Sequence, residues 1–300
     1  VLDEYDYALP PQAIAQEPVE PRSAARLLVA TDPAGSVAHG TVAGLPELLA
    51  PGDVVVVNDT KVIPARLRLR KATGGAVEVL LLDPAGAGAW EALVKPSRRV
   101  PPGTVLYAGD EPVVEAGAYL DGGRRQVVLC QTDERVLARH GAVALPPYIH
   151  RDLADPARYQ TVYANHPGSV AAPTAGLHLT EEVLAAIRAR GIPVVGVDLT
   201  VGLDTFRPIT ASNLDDHVMH SERYAVPDET VAACADADRV VAIGTTTVRA
   251  LESMAVNGER SGRTRLLIHG DHEWRVVDAL LTNFHLPRST LLLLVESFIG

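Results

Sequence analysis

Histidines set beside carboxylates, arginines and hydroxyls at loop and helix-entry positions are the residues of this chain best suited to chemistry, because a near-neutral imidazole can both accept and donate a proton. His178 stands in "AAPTAGLHLTEEVLAAIRARG", two residues before Thr180. Thr180 reads as the N-cap of a helix with Glu181 and Glu182 in its first turn and Val183, Leu184 and Ile187 as its apolar stripe, and Gly191 stops it. At that place the helix dipole disfavours imidazolium and keeps the ring neutral. A second stretch, "LTVGLDTFRPITASNLDDHVMHSE", packs Arg207, Asp216, His217, His220, Ser221 and Glu222 into a short space. If that stretch is helical, His217 and His220 lie three apart and face one site, as an acid/base pair or as metal ligands. Their spacing is not HExxH, so no metal is expected.

Two further strings end apolar strands in polar residues, the usual place for ligand contacts in open α/β sheets. "VVVVNDTKVIPAR" runs into Asn58, Asp59, Thr60 and Lys61, and "VVAIGTTTVRALE" into a Gly-Thr-Thr-Thr turn followed by a helix bearing Arg249. Such a turn presents N–H groups and the hydroxyls of Thr245 and Thr246 to a carboxylate or phosphate. It has neither GxGxxG nor GxxxxGKS, so a dinucleotide fold and a P-loop are not indicated. "LLTNFHLPRSTLLLLV" sets Asn283 and His285 ahead of Pro287, with Ser289 or Thr290 free to cap a last apolar helix.

The elements that would hold these residues fall into two groups. From 66 to 130 the chain reads as short strands between Gly-rich turns, among them "RLRLRK", "AVEVLLLD", "WEALVKP" and "RRQVVLC", which suggests a small closed barrel or sandwich. Strict alternation in "RLRLRK" puts Arg66, Arg68 and Arg70 on one face. After Gly141, strand-like runs ("VVGVDLTV", "RVVAIGTT", "TRLLIHG") alternate with helical stretches at 180–190, 228–237, 246–256 and 289–299, which suggests a sheet flanked by helices. The opening segment adds "ARLLVAT" and "DVVVVND". The expected architecture is an α/β main domain built from both ends of the chain, 1–65 and 144–300, with a small all-β barrel inserted at 66–143.

With 300 residues, 47% of them hydrophobic, the chain can fill a substantial core. The apolar runs are too short to span a bilayer and the opening "VLDEYDYALP" is acidic where a signal peptide is basic, so a cytoplasmic protein without a membrane partner is expected, as a monomer. Cys130 and Cys234 have no metal-type spacing and read as inert core thiols. A net charge of −10 argues against a general nucleic-acid coat. Yet residues 61–100 carry eight Lys/Arg (Lys61, Arg66, Arg68, Arg70, Lys71, Lys95, Arg98 and Arg99) against three acids, so this patch is either a phosphate-binding face or a solvated set of strands.

Taken together the strings resemble those of the S-adenosylmethionine:tRNA ribosyltransferase-isomerases of queuosine biosynthesis, almost end to end and in order. "LPPQAIAQEPVEPRSAARLLV", "NDTKVIPARL", "GSVAAPTAGLH", "DHVMHSE", "AIGTTTVRALE" and "TNFHLPRSTLL" are among the segments that carry the resemblance. The chain departs from it at "LTVGLDTF", where Thr200, Leu203 and Asp204 stand in place of the family's usual "LHVGAGTF". It departs also at "HGDHEW", in place of a Pro-Gly-aromatic turn, and at "GLHLT" for "GLHFT".

The resemblance implies transfer and isomerisation of the ribosyl group of S-adenosylmethionine onto 7-aminomethyl-7-deazaguanine at the tRNA wobble position. Epoxyqueuosine forms and adenine and methionine leave; S-adenosylmethionine is a co-substrate, and no true cofactor or metal is expected. On this reading proton transfer falls to His178, His217 and His220, with Asp216 or Glu222 orienting a ring. Arg207, Arg249, Thr245 and Thr246 bind a carboxylate or phosphate, and Asn58, Asp59, Lys61, Arg66, Thr174, Gly176, Asn283 and His285 line the substrate pocket. tRNA would lie on Arg68, Arg70, Lys71, Lys95, Arg98 and Arg99. The rival readings are a diverged enzyme that cleaves S-adenosylmethionine with a small acceptor or water, a non-catalytic tRNA-binding relative and, most distantly, a metal-dependent hydrolase built on His217, His220 and Glu222.

Overall fold

The computed structural model describes residues 2–30, 35–151, 153–202, 209, 214, 217 and 219–300. Two compact units are present, Val1–Lys61 with Pro146–Gly300, and Val62–Leu145. In chain order the elements are β1 (Arg26–Val29), β2 (Ala38–Thr41), α1 (Leu45–Leu48), β3 (Asp53–Asn58), β4 (Thr60–Val62), β5 (Arg66–Lys71), β6 (Ala76–Gly86), β7 (Ala89–Lys95), β8 (Val105–Ala108), β9 (Glu111–Tyr119) and β10 (Arg125–Leu129). They continue with α2 (Asp133–His140), β11 (Gly141–Ala142), β12 (His166–Ser169), α3 (Glu181–Ala189), β13 (Val194–Leu199), β14 (Glu222–Ala225), α4 (Asp228–Asp236), β15 (Arg239–Ile243), α5 (Thr245–Asn257), β16 (Ser261–Thr264), β17 (Ala279–Leu281) and α6 (Thr290–Ile299).

The first unit is a three-layer α/β structure. Its sheet runs in the order β16-β14-β13-β3-β15-β17, with β13, β3, β15 and β17 parallel and β14 and β16 antiparallel. The run "VVVV" in β3 is apolar at every position because both faces are covered. Val54 and Val56 pack with Val248 and Leu251 of α5 and Leu294 of α6, while Val55 and Val57 pack with Val183, Leu184 and Ile187 of α3. Four parallel strands thus point their carboxyl ends the same way, into the residues that follow Asn58, Leu199, Ile243 and Leu281.

The second unit is a closed barrel. Strands β5-β6-β7-β10-β9-β8 pair antiparallel in sequence, and β5 closes the ring on β8 through Arg70 and Tyr107. Leu67 and Leu69 are buried inside it while Arg68 and Arg70 face out. Arg125 is fully buried within the barrel, where its guanidinium donates to the carbonyls of Val100, Ser97 (3.3 Å) and Gly117 (2.7 Å) and lies 4.2 Å over the Tyr119 ring.

Three expectations need correcting. "TRLLIHG" is not a strand: β16 stops at Thr264, whose hydroxyl accepts the Leu266 N–H at 3.1 Å while Arg249 Nε donates to the Leu266 carbonyl at 3.3 Å, so side chains take the backbone groups a ladder would use. "ARLLVAT" forms only a two-stranded pair with β2 and is no part of the large sheet. Cys130 is exposed rather than a core thiol; Cys234 is partly buried, and burial pushes its thiol up to about 11.

Candidate functional site

A cavity of about 340 Å³ opens where β15 and β17 end. β15 leads through Gly244 into α5, and Gly244 has φ 91°, a conformation that glycine adopts without steric cost. The turn sets Thr245 and Thr246 at the start of a 13-residue helix, and both line the cavity. The N–H groups of Thr245 and Thr246 precede the first bond of α5, which the Thr247 N–H makes to the Gly244 carbonyl at 3.1 Å, and they carry the positive end of its dipole. Thr246 is buried, and its Oγ1 has no hydrogen-bond partner. β17 leads into Thr282, Asn283, Phe284, His285 and Leu286, which form a second wall. The segment Ala172–Ala175 forms a third, and Tyr7, Ala13, Ile14 and Tyr148 complete the lining.

On the walls formed by Thr174 and by Thr282–His285, neutral hydrogen bonds join the polar residues. Asn283 Nδ2 donates to Thr174 Oγ1 at 2.9 Å, so Asn283 Oδ1 faces His178 Nε2 at 3.1 Å as the acceptor. The network therefore puts the proton on Nε2 of His178. His178 ends a 3₁₀ turn, Thr174–His178, and Thr180 caps α3 by accepting the Val183 N–H at 3.3 Å. Burial lowers the pKa of His178, and the neighbouring Arg158 and Arg22 charges lower it further against the opposing Asn283 bond. Burial is thus the largest influence favouring the neutral ring, ahead of the helix dipole expected from the sequence. His285 lines the cavity, meets Thr282 Oγ1 through Nε2 at 3.3 Å, and is pushed by burial from 6.5 down to about 4.

The structure thus brings Thr174, Thr245, Thr246, Asn283 and His285 around one cavity and sets His178 one hydrogen bond behind its wall. Gly176 is on the same turn, and a Cβ there would lie 1.9 Å from the Tyr163 hydroxyl, so only glycine lets the turn approach that ring. Glu222 and Arg249, expected to orient a ring and to bind an anion, instead form an ion pair with each other. Both are buried, Nη1 meets Glu222 Oε2, and Oε1 accepts the Gly202 N–H at 3.4 Å. Arg249 Nη2 has no hydrogen bond.

Asn58 does not line the cavity; its Nδ2 donates to the Leu199 carbonyl at 3.0 Å, and its Oδ1 accepts the N–H groups of Leu199 (3.1 Å) and Thr60 (3.2 Å). Asp59 instead meets His166 Nδ1 at 3.0 Å; burial raises the Asp59 pKa against that bond, and the bond raises His166. Lys61 is exposed.

Residues 217, 219 and 220 are neither helix nor strand, so the three-residue helical spacing proposed for His217 and His220 is not formed. His217 is half-buried, with its pKa lowered by burial and by the charge of His220, which is exposed. Arg207 and Asp216 lie outside the described residues. Among the described residues no group of three or more His, Cys, Asp or Glu could hold a metal ion.

Arg66, placed by sequence in the pocket, belongs to the barrel and lies 3.9 Å from Glu78. On the barrel's outer surface Arg68 is opposite Glu78, which is opposite Lys95, so an acid interrupts the basic row. Lys71 Nζ donates to the Arg99 carbonyl at 3.2 Å, and Arg98 and Arg99 are exposed beside it.

Sequence reasoning missed Tyr7, Tyr148, Thr282, Phe284 and His166. It also missed Arg22, which donates to the carbonyls of Gln160 (2.7 Å), Leu177 (3.3 Å) and Ala157 (3.1 Å) and so fixes the turn carrying His178. "TNFH" was noted only for its polar members, although an aromatic between them was a usable signal.

A mostly parallel α/β sheet with a ligand-sized cavity at its strand ends, together with a closed barrel, defines an α/β enzyme with a barrel inserted in its chain. A family model described as "Queuosine biosynthesis protein" matches residues 2–300. S-adenosylmethionine:tRNA ribosyltransferase-isomerase of Rubrobacter xylanophilus is 52% identical over 99% of this chain and 89% of its own, and that of Moorella thermoacetica 49% identical over 100% and 91%. A crystal structure of S-adenosylmethionine tRNA ribosyltransferase from Thermotoga maritima is similar with a TM-score of 0.53 and 36% identity, over 99% of this chain and 90% of that one. The chain belongs to the queuosine biosynthesis family of S-adenosylmethionine:tRNA ribosyltransferase-isomerases, and is an enzyme.

Proposed function

We propose that this enzyme transfers and isomerises the ribosyl group of S-adenosylmethionine onto 7-aminomethyl-7-deazaguanine at the wobble position of tRNA, forming epoxyqueuosine and releasing adenine and methionine. The observation that carries this reading is the cavity at the ends of β15 and β17, with a helix N-terminus on one side and neutral polar side chains on the other. The α5 N-terminus and Thr246 Oγ1 offer donors to the methionine carboxylate. Arg249 is already neutralised by Glu222 and donates to the Leu266 carbonyl, so it ties α5 to β14 and to the chain after β16 rather than holding the anion.

The reaction begins by loss of a proton from the ribose carbon beside the sulfonium, needs a donor for the departing adenine, and needs donors to steady an oxyanion as the ring closes. Asn283 and His285 are placed to serve the nucleoside. A ring held at about 4 is a weak proton acceptor and a competent neutral hydrogen-bond donor, so His285 suits the leaving group or the oxyanion. His178 acts through Asn283 as a positioning residue. Proton removal is assigned to His217 or His220 on the family resemblance. No metal or redox cofactor takes part, the co-substrate itself supplies the leaving groups, and the barrel's Arg68, Arg70, Lys71, Lys95, Arg98 and Arg99 meet tRNA phosphates.

The test follows adenine release from S-adenosylmethionine by chromatography, with and without tRNA bearing the aminomethyl-deazaguanine base. Release that requires this tRNA, with a mass gain on its wobble base, supports the reading. Release without it points to a small acceptor or water, and binding of tRNA without release points to a non-catalytic relative. His217→Gln and His220→Gln, assayed separately, identify the proton acceptor by which one abolishes release; if neither does, that assignment is wrong.

A further inference from the structure

Phe284 is 89% exposed, more than any other large hydrophobic residue described, the next being Ile299 at 72%. It is also part of the cavity lining, between Asn283 and His285. A lone exposed apolar side chain needs no explanation, but one carried on a braced backbone at the edge of a cavity, between two polar lining residues, does. The backbone on either side of it is braced. Asn283 is tied to Thr174, and the Tyr7 hydroxyl donates to the His285 carbonyl. His285 meets Thr282, Arg288 N–H donates to the Tyr5 carbonyl at 2.9 Å, and the Arg288 carbonyl accepts the Ile209 N–H at 2.8 Å. Arg288 itself has φ 56°, a conformation costly for a residue with a Cβ, and it turns the chain into the Ser289 cap of α6. The loop is thus constructed so that its neighbours point inward and the phenyl ring points to solvent.

We propose that Phe284 is a stacking platform for the acceptor nucleobase, which leaves its RNA stack and lies on the ring at the cavity mouth. This rests on the function proposed above. Enzymes that act on a base in a polymer draw it out of the stack, and an aromatic face receives any such base through its π surface. A cavity of about 340 Å³ is at the small end of ligand sites, a size that one small substrate fills with no room beside it for a second base. The donor's adenosine and methionine occupy it, and a base that remains joined to RNA meets the enzyme at the rim.

The experiment uses the whole chain and an anticodon stem-loop bearing 7-aminomethyl-7-deazaguanine. Phe284→Ala and Phe284→Leu raise the KM or Kd for this RNA by roughly 5- to 100-fold, while Phe284→Tyr stays near the wild-type value. KM for S-adenosylmethionine stays within about twofold in all three, which a merely structural role would not produce. Phe284→Trp adds a reporter whose fluorescence, after subtraction of the Trp90 and Trp274 background, is quenched by the RNA and not by S-adenosylmethionine. Equal behaviour of the Ala, Leu and Tyr variants, or an effect confined to S-adenosylmethionine, overturns the proposal. If the wild-type enzyme does not turn over this RNA, the proposed function fails, and the binding and quenching arms still decide whether Phe284 receives a base.

Discussion

Two polar clusters stand near the carboxyl ends of the same sheet and are made from similarly reactive residues, yet their environments differ. Glu222 and Arg249 are buried, carry opposite charges and satisfy each other. Thr174, Asn283 and His178 are half-buried, neutral and joined in a chain whose first two members face a cavity. A buried ion pair spends its charge on its partner, so it fixes geometry and has little left for a ligand. A chain of neutral donors and acceptors keeps spare capacity, which substrate can use. Residue type alone made both look like binding groups, and only the partners separate them.

Breaking the ion pair should give the largest effect. Glu222→Ala leaves Arg249 buried and unpaired and costs about 3–5 kcal/mol in denaturant unfolding, because the remaining charge loses its compensation. The double variant Glu222→Leu, Arg249→Met should recover most of that loss. If the single variant unfolds like the wild type, the two residues do not stabilise the fold as a pair.

Cutting the neutral chain should do the reverse. Asn283→Ala lowers turnover by roughly 10²–10³-fold with a stability loss of no more than about 1.5 kcal/mol, since one positioned donor is removed from a site already open to solvent. A stability loss as large as that of Glu222→Ala, with turnover retained, would erase the contrast between the clusters. His178→Ala should cost less, about tenfold in kcat with KM nearly unchanged, because it acts through Asn283. His178→Asn, whose amide can donate to Asn283 Oδ1, should restore part of the rate; no rescue would mean that the ring itself reacts.

The layered fold was legible in the sequence because it rests on short-range pattern. "VVVV" with both faces apolar, the Thr180 cap and the "RLRLRK" alternation each depend on residues close in the chain. Misreadings came where distant groups decide the outcome. "TRLLIHG" has strand composition, but Arg249 and Thr264 side chains claim its backbone. Glu222 and Arg249 are 27 positions apart and meet only once β14 and α5 are assembled. Asn58 looked like a ligand contact at a strand end, and becomes a brace because β13 lies parallel beside it. His166 carried no periodic signal at all, and its pairing with Asp59 arises from β12 folding back on β4.

The pH dependence of stability supplies the finest test of the neutral cluster. His285 has its pKa lowered from 6.5 to about 4 in the folded protein, so between these values the unfolded chain binds the extra proton and the folded chain does not. Stability therefore rises with pH across that window, and is progressively lost as pH falls from about 6.5 toward 4. His178 and His217, also lowered, act with the same sign. Asp59, raised by burial, acts with the opposite sign, because its folded form holds a proton that the unfolded form has released. The total slope mixes these contributions, so the comparison must be made one ring at a time. His285→Gln keeps a polar side chain in the wall and removes the titration, and it should flatten the fall in unfolding midpoint between pH 6.5 and 4 relative to wild type. Glu222→Ala, in the charged cluster, should shift the whole curve down, leaving the His285 contribution to its slope in place. An undiminished slope in His285→Gln would show that the ring is not held neutral by burial and that this wall of the cavity does not work through uncharged groups alone.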